Sequence, residues 1–253
     1  MIGIFDSGSG GLTVLRAIRK RIKAIDFLYF GDIKHAPYGS RSRAELSRFT
    51  FSAFDRLAKE GATSIISACN SVSASLAAPL LDTGEWNTNR LIEMVGPTVR
   101  SFKYADAKIL LCATPATIQS EVYQNAFHMI GHEIQTLAIP DLAGAIEFGK
   151  PEAEIEAIIR TAFETVPKDS FTMLILACTH YPLALDAFRN VVGPGVHIFD
   201  PAEAVAERVE KEWWPREAGN GTLRLLISAD SEPFRRLVAT FFPNEPYSIE
   251  VVE

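Results

Sequence analysis

Short apolar runs alternate with amphipathic stretches along this chain. The runs are Ile2 to Phe5, Phe27 to Phe30, Ser64 to Ala68, Leu91 to Val95, Lys108 to Cys112, Met173 to Ala177, Val196 to Phe199 and Leu223 to Ile227. Four or five apolar residues without polar alternation suit a strand covered on both faces. Between them lie helical patterns. Leu46, Phe49, Ala53, Phe54 and Leu57 share one face at helical spacing, as do Ile155, Ile158, Ile159, Ala162 and Phe163. Asp200-Pro201-Ala202-Glu203 reads as an N-cap, a first-turn proline and a capping-box glutamate for a helix carrying Val205, Ala206 and Val209. Strands separated by helices predict an α/β fold with mainly parallel sheets.

The pattern repeats. Ile65-Ile66-Ser67-Ala68-Cys69-Asn70-Ser71 is echoed by Leu174-Ile175-Leu176-Ala177-Cys178-Thr179-His180, and Ile2 to Ser7 by Ile109 to Thr114 at a nearly equal offset. Two matching offsets indicate a duplicated half, hence two pseudo-symmetric α/β domains with a cleft between them. The breaker pair Gly96-Pro97 marks the expected seam, where a strand ends.

Chemistry is expected at the strand ends, where loops gather polar side chains and helix N-termini above a rigid sheet. A thiol at the end of each of two equivalent strands can be aimed into one cleft. That suits a reaction needing an acid and a base on opposite faces of one carbon, the chemistry of a racemase. A thiol serves either role once a neighbour shifts it modestly, and Asp6 and His180 are the available neighbours. Asp6-Ser7-Gly8-Ser9-Gly10-Gly11 runs from a strand into a helix beginning near Leu12, a seat for a carboxylate or phosphate. It fails the dinucleotide fingerprint, because Thr13 stands at the third glycine position. Pro37-Tyr38-Gly39-Ser40 is a further loop, and Asn70, Ser71 and Thr179 offer neutral hydrogen bonds to a small zwitterion. No lysine stands at these strand ends in the manner of a pyridoxal Schiff base, so the expected mechanism needs no cofactor.

Composition narrows the picture. A formal charge of −6 disfavours nonspecific contact with nucleic acid or an acidic membrane surface. No apolar stretch has the length to cross a bilayer, and strand-like residues from Ile2 onward leave no room for a cleavable leader, so a cytoplasmic home is expected. Cys69, Cys112 and Cys178 are read as free thiols, and their spacing matches no metal template.

Ile4-Phe5-Asp6-Ser7-Gly8-Ser9-Gly10-Gly11-Leu12, Pro37-Tyr38-Gly39, Ala68-Cys69-Asn70-Ser71 and Ala177-Cys178-Thr179-His180-Tyr181-Pro182 resemble, in order, the motif series of bacterial glutamate racemases. Ala113-Thr114-Pro115-Ala116-Thr117 with Ser120 and Tyr123 is similar to that family's second-domain loop, and Pro140 with Glu147 and Gly149 to its glutamate-bearing segment. The resemblance implies that Cys69 handles the α-proton of D-glutamate and Cys178 that of the L-enantiomer. Asp6 would assist Cys69, His180 would assist Cys178, and Glu147 would aid nearby. Ser7, Tyr38, Gly39, Asn70, Ser71 and Thr179 would hold the substrate, joined by Thr114 and Thr117. It further implies a first domain of residues 1–96 plus 200–253, a second of 97–199, a homodimer, and a product that feeds peptidoglycan synthesis.

Some positions depart from the family pattern. Ser71 stands where threonine is usual, Ala177 where glycine is frequent, Ile139 where cysteine is usual, and Lys34-His35-Ala36 differs from the usual approach to Pro-Tyr-Gly. They keep open another small acid such as aspartate as substrate, or a weakly active member with a regulatory binding role. Pattern alone also leaves Asp6 readable as a helix cap and Glu147 as a solvated surface charge. Cys112, inside an apolar run, reads as core.

Overall fold

The computed structural model describes residues 1–76 and 90–252. Two sheets form, both parallel throughout their described pairings. The first contains β1 (Ile2–Asp6), β2 (Phe27–Gly31), β3 (Ser64–Ser67) and β4 (Leu91–Glu93). The second contains β5 (Ile109–Ala113), β6 (Gln135–Ala138), β7 (Met173–Ala177) and β8 (His197–Phe199). Finally, β9 (Leu223–Ile227) and β10 (Ser248–Val251) return to the first sheet, giving the orders β10-β9-β2-β1-β3-β4 and β6-β5-β7-β8. Counted within each half, both sheets place the second strand, then the first, third and fourth. The duplication read from the cysteine segments is thus present as topology, with β3 and β7 in equivalent positions.

The helices are α1 (Leu12–Arg21), α2 (Arg43–Lys59), α3 (Asn70–Leu76), α4 (Val95–Arg100), α5 (Pro115–Gln119) and α6 (Val122–Met129). They continue with α7 (Leu142–Glu147), α8 (Glu152–Phe163), α9 (Leu185–Val192), α10 (Pro201–Trp213) and α11 (Glu232–Phe241). Alternate strand residues face opposite ways, so each sheet has a core on both faces. Ile2 and Ile4 pack with Val14 and Ile18 of α1, Val205 and Val209 of α10, and Phe234 of α11. Phe5 turns to the other face, against Phe54 and Leu57 of α2. In the second sheet Leu110, Cys112 and Leu176 meet Ile159 of α8 and Phe188 of α9, whereas Leu111 and Ile175 meet Val99 of α4 and Phe127 of α6. Cys112 is fully buried, as its place in an apolar run implies.

Three expectations need correction. The fourth strand stops at Glu93, and Gly96-Pro97 lies within α4. Glu93 accepts hydrogen bonds from the backbone N–H groups of Val95 and Gly96 at 2.5 and 2.7 Å, satisfying donors that a new helix leaves open, so the chain turns helical two residues earlier. The strands β6 and β10 escaped the apolar-run criterion. Both are edge strands, and their residues are only partly covered. At α10, Asp200 caps the helix by accepting from Ala202 N at 2.9 Å, with Pro201 in the first turn. The capping box does not close: the Glu203 carboxylate lies 3.7 Å from Arg21 instead.

Candidate active site

The ends of β1, β3, β5 and β7 meet, and the loops that follow them line one small cavity. Its walls include Ser7, Tyr38, Gly39, Cys69, Asn70, Ser71, Thr114, Cys178, Thr179 and His180, together with Pro37 and Ala143. The volume is about 10 Å³, which holds no more than about one water. Ten of the thirteen residues singled out from sequence line it. Asp6, Glu147 and Thr117 stand one bond behind the wall, and each is tied to a residue in it. A groove of about 620 Å³ lies elsewhere, over Arg16, Lys20, Arg189 and Asp200, and contains no thiol.

Both cysteines are buried free thiols just past equivalent strands, Cys69 two residues beyond β3 and Cys178 one residue beyond β7. Their surroundings differ. The Cys69 thiol donates to Ser7 Oγ at 3.6 Å. Burial, reinforced by the negative charge of Asp6, pushes its pKa up to about 12. Cys69 therefore rests as a neutral thiol. Cys178 Sγ lies 4.0 Å from His180 Nδ1, while His180 Nε2 meets Glu147 Oε2 at 2.5 Å. Burial alone would strip the proton from His180, but its bonds to Cys178 and Glu147 prevail and hold it well above the ordinary imidazole range. Burial pushes Glu147 upward too, and there the bonds from His180 and Ser9 win and hold the carboxyl below its usual value. The arrangement is a buried imidazolium–carboxylate pair with its free N–H side toward Cys178.

The glycine-rich loop does not behave as an open anion seat. Its donors serve the protein's own carboxylates: Gly8 N donates to Asp6 Oδ1 at 2.9 Å, and Ser9 N and Oγ donate to Glu147 Oε2 at 2.8 and 2.7 Å. The glycines allow close approach. A Cβ at Gly8 would sit 2.6 Å from Glu147 Oε2, and one at Gly10 2.6 Å from Thr179 Oγ1. Asp6 does not cap α1, whose N-cap is Gly11. It is fully buried at the end of β1 and accepts from Thr179 Oγ1 at 3.0 Å. Burial raises its pKa against the opposing charge of His180 and the N–H of Gly8. Glu147 is likewise no surface charge, being 2% exposed.

Hydroxyls from both sheets meet on the remaining wall. Ser71 Oγ lies 2.8 Å from Thr114 Oγ1, which lies 3.1 Å from Thr117 Oγ1. The Tyr38 ring packs edge-on against Phe5, and its hydroxyl donates to Asp32 Oδ2 at 2.6 Å. That hydroxyl is therefore already engaged. His35, unremarkable as a lone histidine, places Nδ1 2.9 Å from both oxygens of Asp32. Sequence reasoning missed Asp32 and Ser9 as partners of site residues, and the donation from Tyr123 to Asn70 at 2.6 Å. Ser9 had a local signal in its place inside the glycine loop and Tyr123 in the family-like loop after Thr117, whereas Asp32 had none.

Residues 2–209 match the family model for Asp/Glu/Hydantoin racemase. The chain belongs to the Asp/Glu/Hydantoin racemase family. Within it, a glutamate racemase from Ruegeria sp. (strain TM1040) is 34% identical, with 96% of this chain and 97% of that protein covered. The crystal structure of a glutamate racemase isoform from Bacillus anthracis superposes with a TM-score of 0.88 at 28% identity, covering 100% of this chain and 97% of the other. A glutamate racemase from Francisella tularensis, solved in complex with D-glutamate, gives 0.86 at 26% identity with the same coverage. The two-sheet α/β architecture is that of these family members. Among the described residues, no helix is long and apolar enough to cross a membrane.

Proposed function

We propose that this protein is a cofactor-independent glutamate racemase working by two-base proton transfer between Cys69 and Cys178. The observation that carries the reading is that two thiols, placed by equivalent strands of a repeated topology, line one cavity. Relatives named as glutamate racemases, one of them solved with D-glutamate, support glutamate as substrate.

With L-glutamate bound, the thiolate of Cys178 takes the α-proton and the thiol of Cys69 delivers its own to the opposite face. The Cα–H bond breaks on one side and a new one forms on the other, leaving Cys69 as thiolate. The reverse direction exchanges the roles. His180, held charged by Glu147, steadies the anionic form of Cys178, and Asp6 assists proton movement at Cys69. Ser7, Gly39, Asn70, Ser71, Thr114 and Thr179 hold the substrate with neutral donors and backbone, and Thr117 supports Thr114 from behind. Tyr38 contributes by ring packing and loop placement rather than by its hydroxyl. Desolvation makes the step feasible, because a buried base next to a bound carboxylate is not quenched by water.

The wider reading has a first domain of residues 1–96 plus 200–253 and a second of 97–199, a homodimeric cytoplasmic enzyme, and D-glutamate destined for peptidoglycan. Membership of β9 and β10 in the first sheet supports that division. Incubation with D- or L-glutamate in deuterium oxide is expected to exchange the α-hydrogen and equalise the enantiomers. Cys69→Ser and Cys178→Ser are each expected to lower racemisation by at least about 10²-fold, the usual contribution of a positioned acid or base. Absence of exchange with glutamate refutes the substrate, and full activity in either serine variant refutes the two-thiol mechanism.

A further inference from the structure

Asn70 follows Cys69 and is 2% exposed on the cavity wall. Its Oδ1 accepts from the Tyr123 hydroxyl at 2.6 Å, while its Nδ2 is buried with no hydrogen-bond partner among the described residues. The two ends of an amide are nearly the same size and opposite in hydrogen bonding, so whichever end faces a cavity decides whether the site offers a donor or an acceptor. A buried donor without a partner is rare in a folded protein and signals a missing acceptor. Tyr123 is fully buried, and burial raises its phenol far above the ordinary range, so the proton stays on; the hydroxyl also meets Thr98, whose own hydroxyl donates to Met94 O at 2.6 Å. Its donation to Asn70 Oδ1 leaves Nδ2 as the amide end without a partner.

The two residues come from different halves. Asn70 begins α3 after β3 of the first sheet, whereas Tyr123 lies on α6 in the core of the second, with Val99, Phe102 and Phe127. We propose that Tyr123 is a positioning residue that acts through Asn70, locking the amide with Nδ2 toward a substrate carboxylate when the two halves close. This deepens the glutamate racemase reading and rests on it. An open site would present an amide free to turn either way, and closure would select the donor.

A double-mutant cycle on the full chain tests this, with Tyr123→Phe, Asn70→Ala and the pair assayed for glutamate racemisation in both directions. Tyr123→Phe keeps the ring in its core. Expected is a rise in KM of about tenfold with kcat within about threefold, and a further effect under about twofold once Asn70 is already alanine. A second readout needs only the single variant. Preference for glutamate over its α-amide or γ-amide, measured by competitive inhibition, is expected to fall in Tyr123→Phe because the freed amide accepts from a carboxamide as readily as it donates to a carboxylate. Asn70→Ser replaces the alanine variant if that one does not fold. Additive effects across the cycle with unchanged amide discrimination overturn the proposal while the racemase reading stands. A wild-type protein that does not racemise glutamate overturns both.

Discussion

At the scale of single residues the most consequential pairing is Glu147 with His180. The carboxylate accepts from His180 Nε2 and twice from Ser9 on the same oxygen. In Glu147→Gln the imidazole loses the negative partner that raises it, so the alkaline limb of kcat/KM for L-glutamate should move to lower pH. Ser9→Ala should not move it to lower pH, because the carboxylate stays ionised and loses only a donor that competes with His180 for the same oxygen. An unchanged pH profile in Glu147→Gln would count against a charged His180. The sign for stability follows from the same shifts. His180 is raised above 6.5, so its contribution is whole below that pH and is lost as pH rises through the folded value. Glu147 is held below 4.5, so its contribution is whole above that pH and is lost on acidification. The pair's stabilisation should therefore be greatest between these two limits, and a pH series of thermal melts on wild type and Glu147→Gln would reveal it as a difference confined to that window.

Among elements, the loops that follow the strands carry the tightest tolerances. A methyl at Gly8 or Gly10 would press on Glu147 or Thr179 at 2.6 Å. Gly8→Ala and Gly10→Ala are therefore expected to destabilise by about 1–3 kcal/mol, as overpacking does. Activity should fall further than stability explains, because the displaced groups belong to the site. Thermal melts compared with turnover separate the two effects. What could be read from sequence follows from the same geometry. The runs at β1, β2, β3, β5, β7 and β9 were legible because both faces are covered, so every position is apolar or small. Edge strands β6 and β10 keep exposed positions and read as loop. Cys69, Cys178 and their followers were legible because strand ends predict where side chains gather. The Ser9–Glu147 bond joins residues 138 apart, and the Asn70–Tyr123 bond spans both sheets. Ser9 and Tyr123 each stand in a motif, but neither pairing can be read from it, since only the tertiary fold brings the partners together.

For the whole molecule, the smallness of the cavity is the governing fact. A volume near 10 Å³ is too small for an amino acid, so the walls built from the ends of β1, β3, β5 and β7 must move apart for the proposed substrate to enter and leave. Thiol alkylation followed by mass spectrometry should show Cys69 and Cys178 reacting slowly, through opening, and both protected by added D-glutamate. Cys112, fully buried in the second sheet's core, should react only on denaturation. Modification of Cys112 ahead of the other two would contradict this picture. The unequal surroundings of the two sulfur atoms have a thermodynamic consequence. Mirror-image molecules have identical free energy in an achiral solvent, so for the proposed reaction kcat/KM must be the same from either side. A neutral, carboxylate-flanked thiol on one face and an imidazolium-flanked one on the other cannot tilt the final mixture. They can only redistribute the barrier, so that whichever enantiomer turns over faster at saturation also has the larger KM, by the same factor.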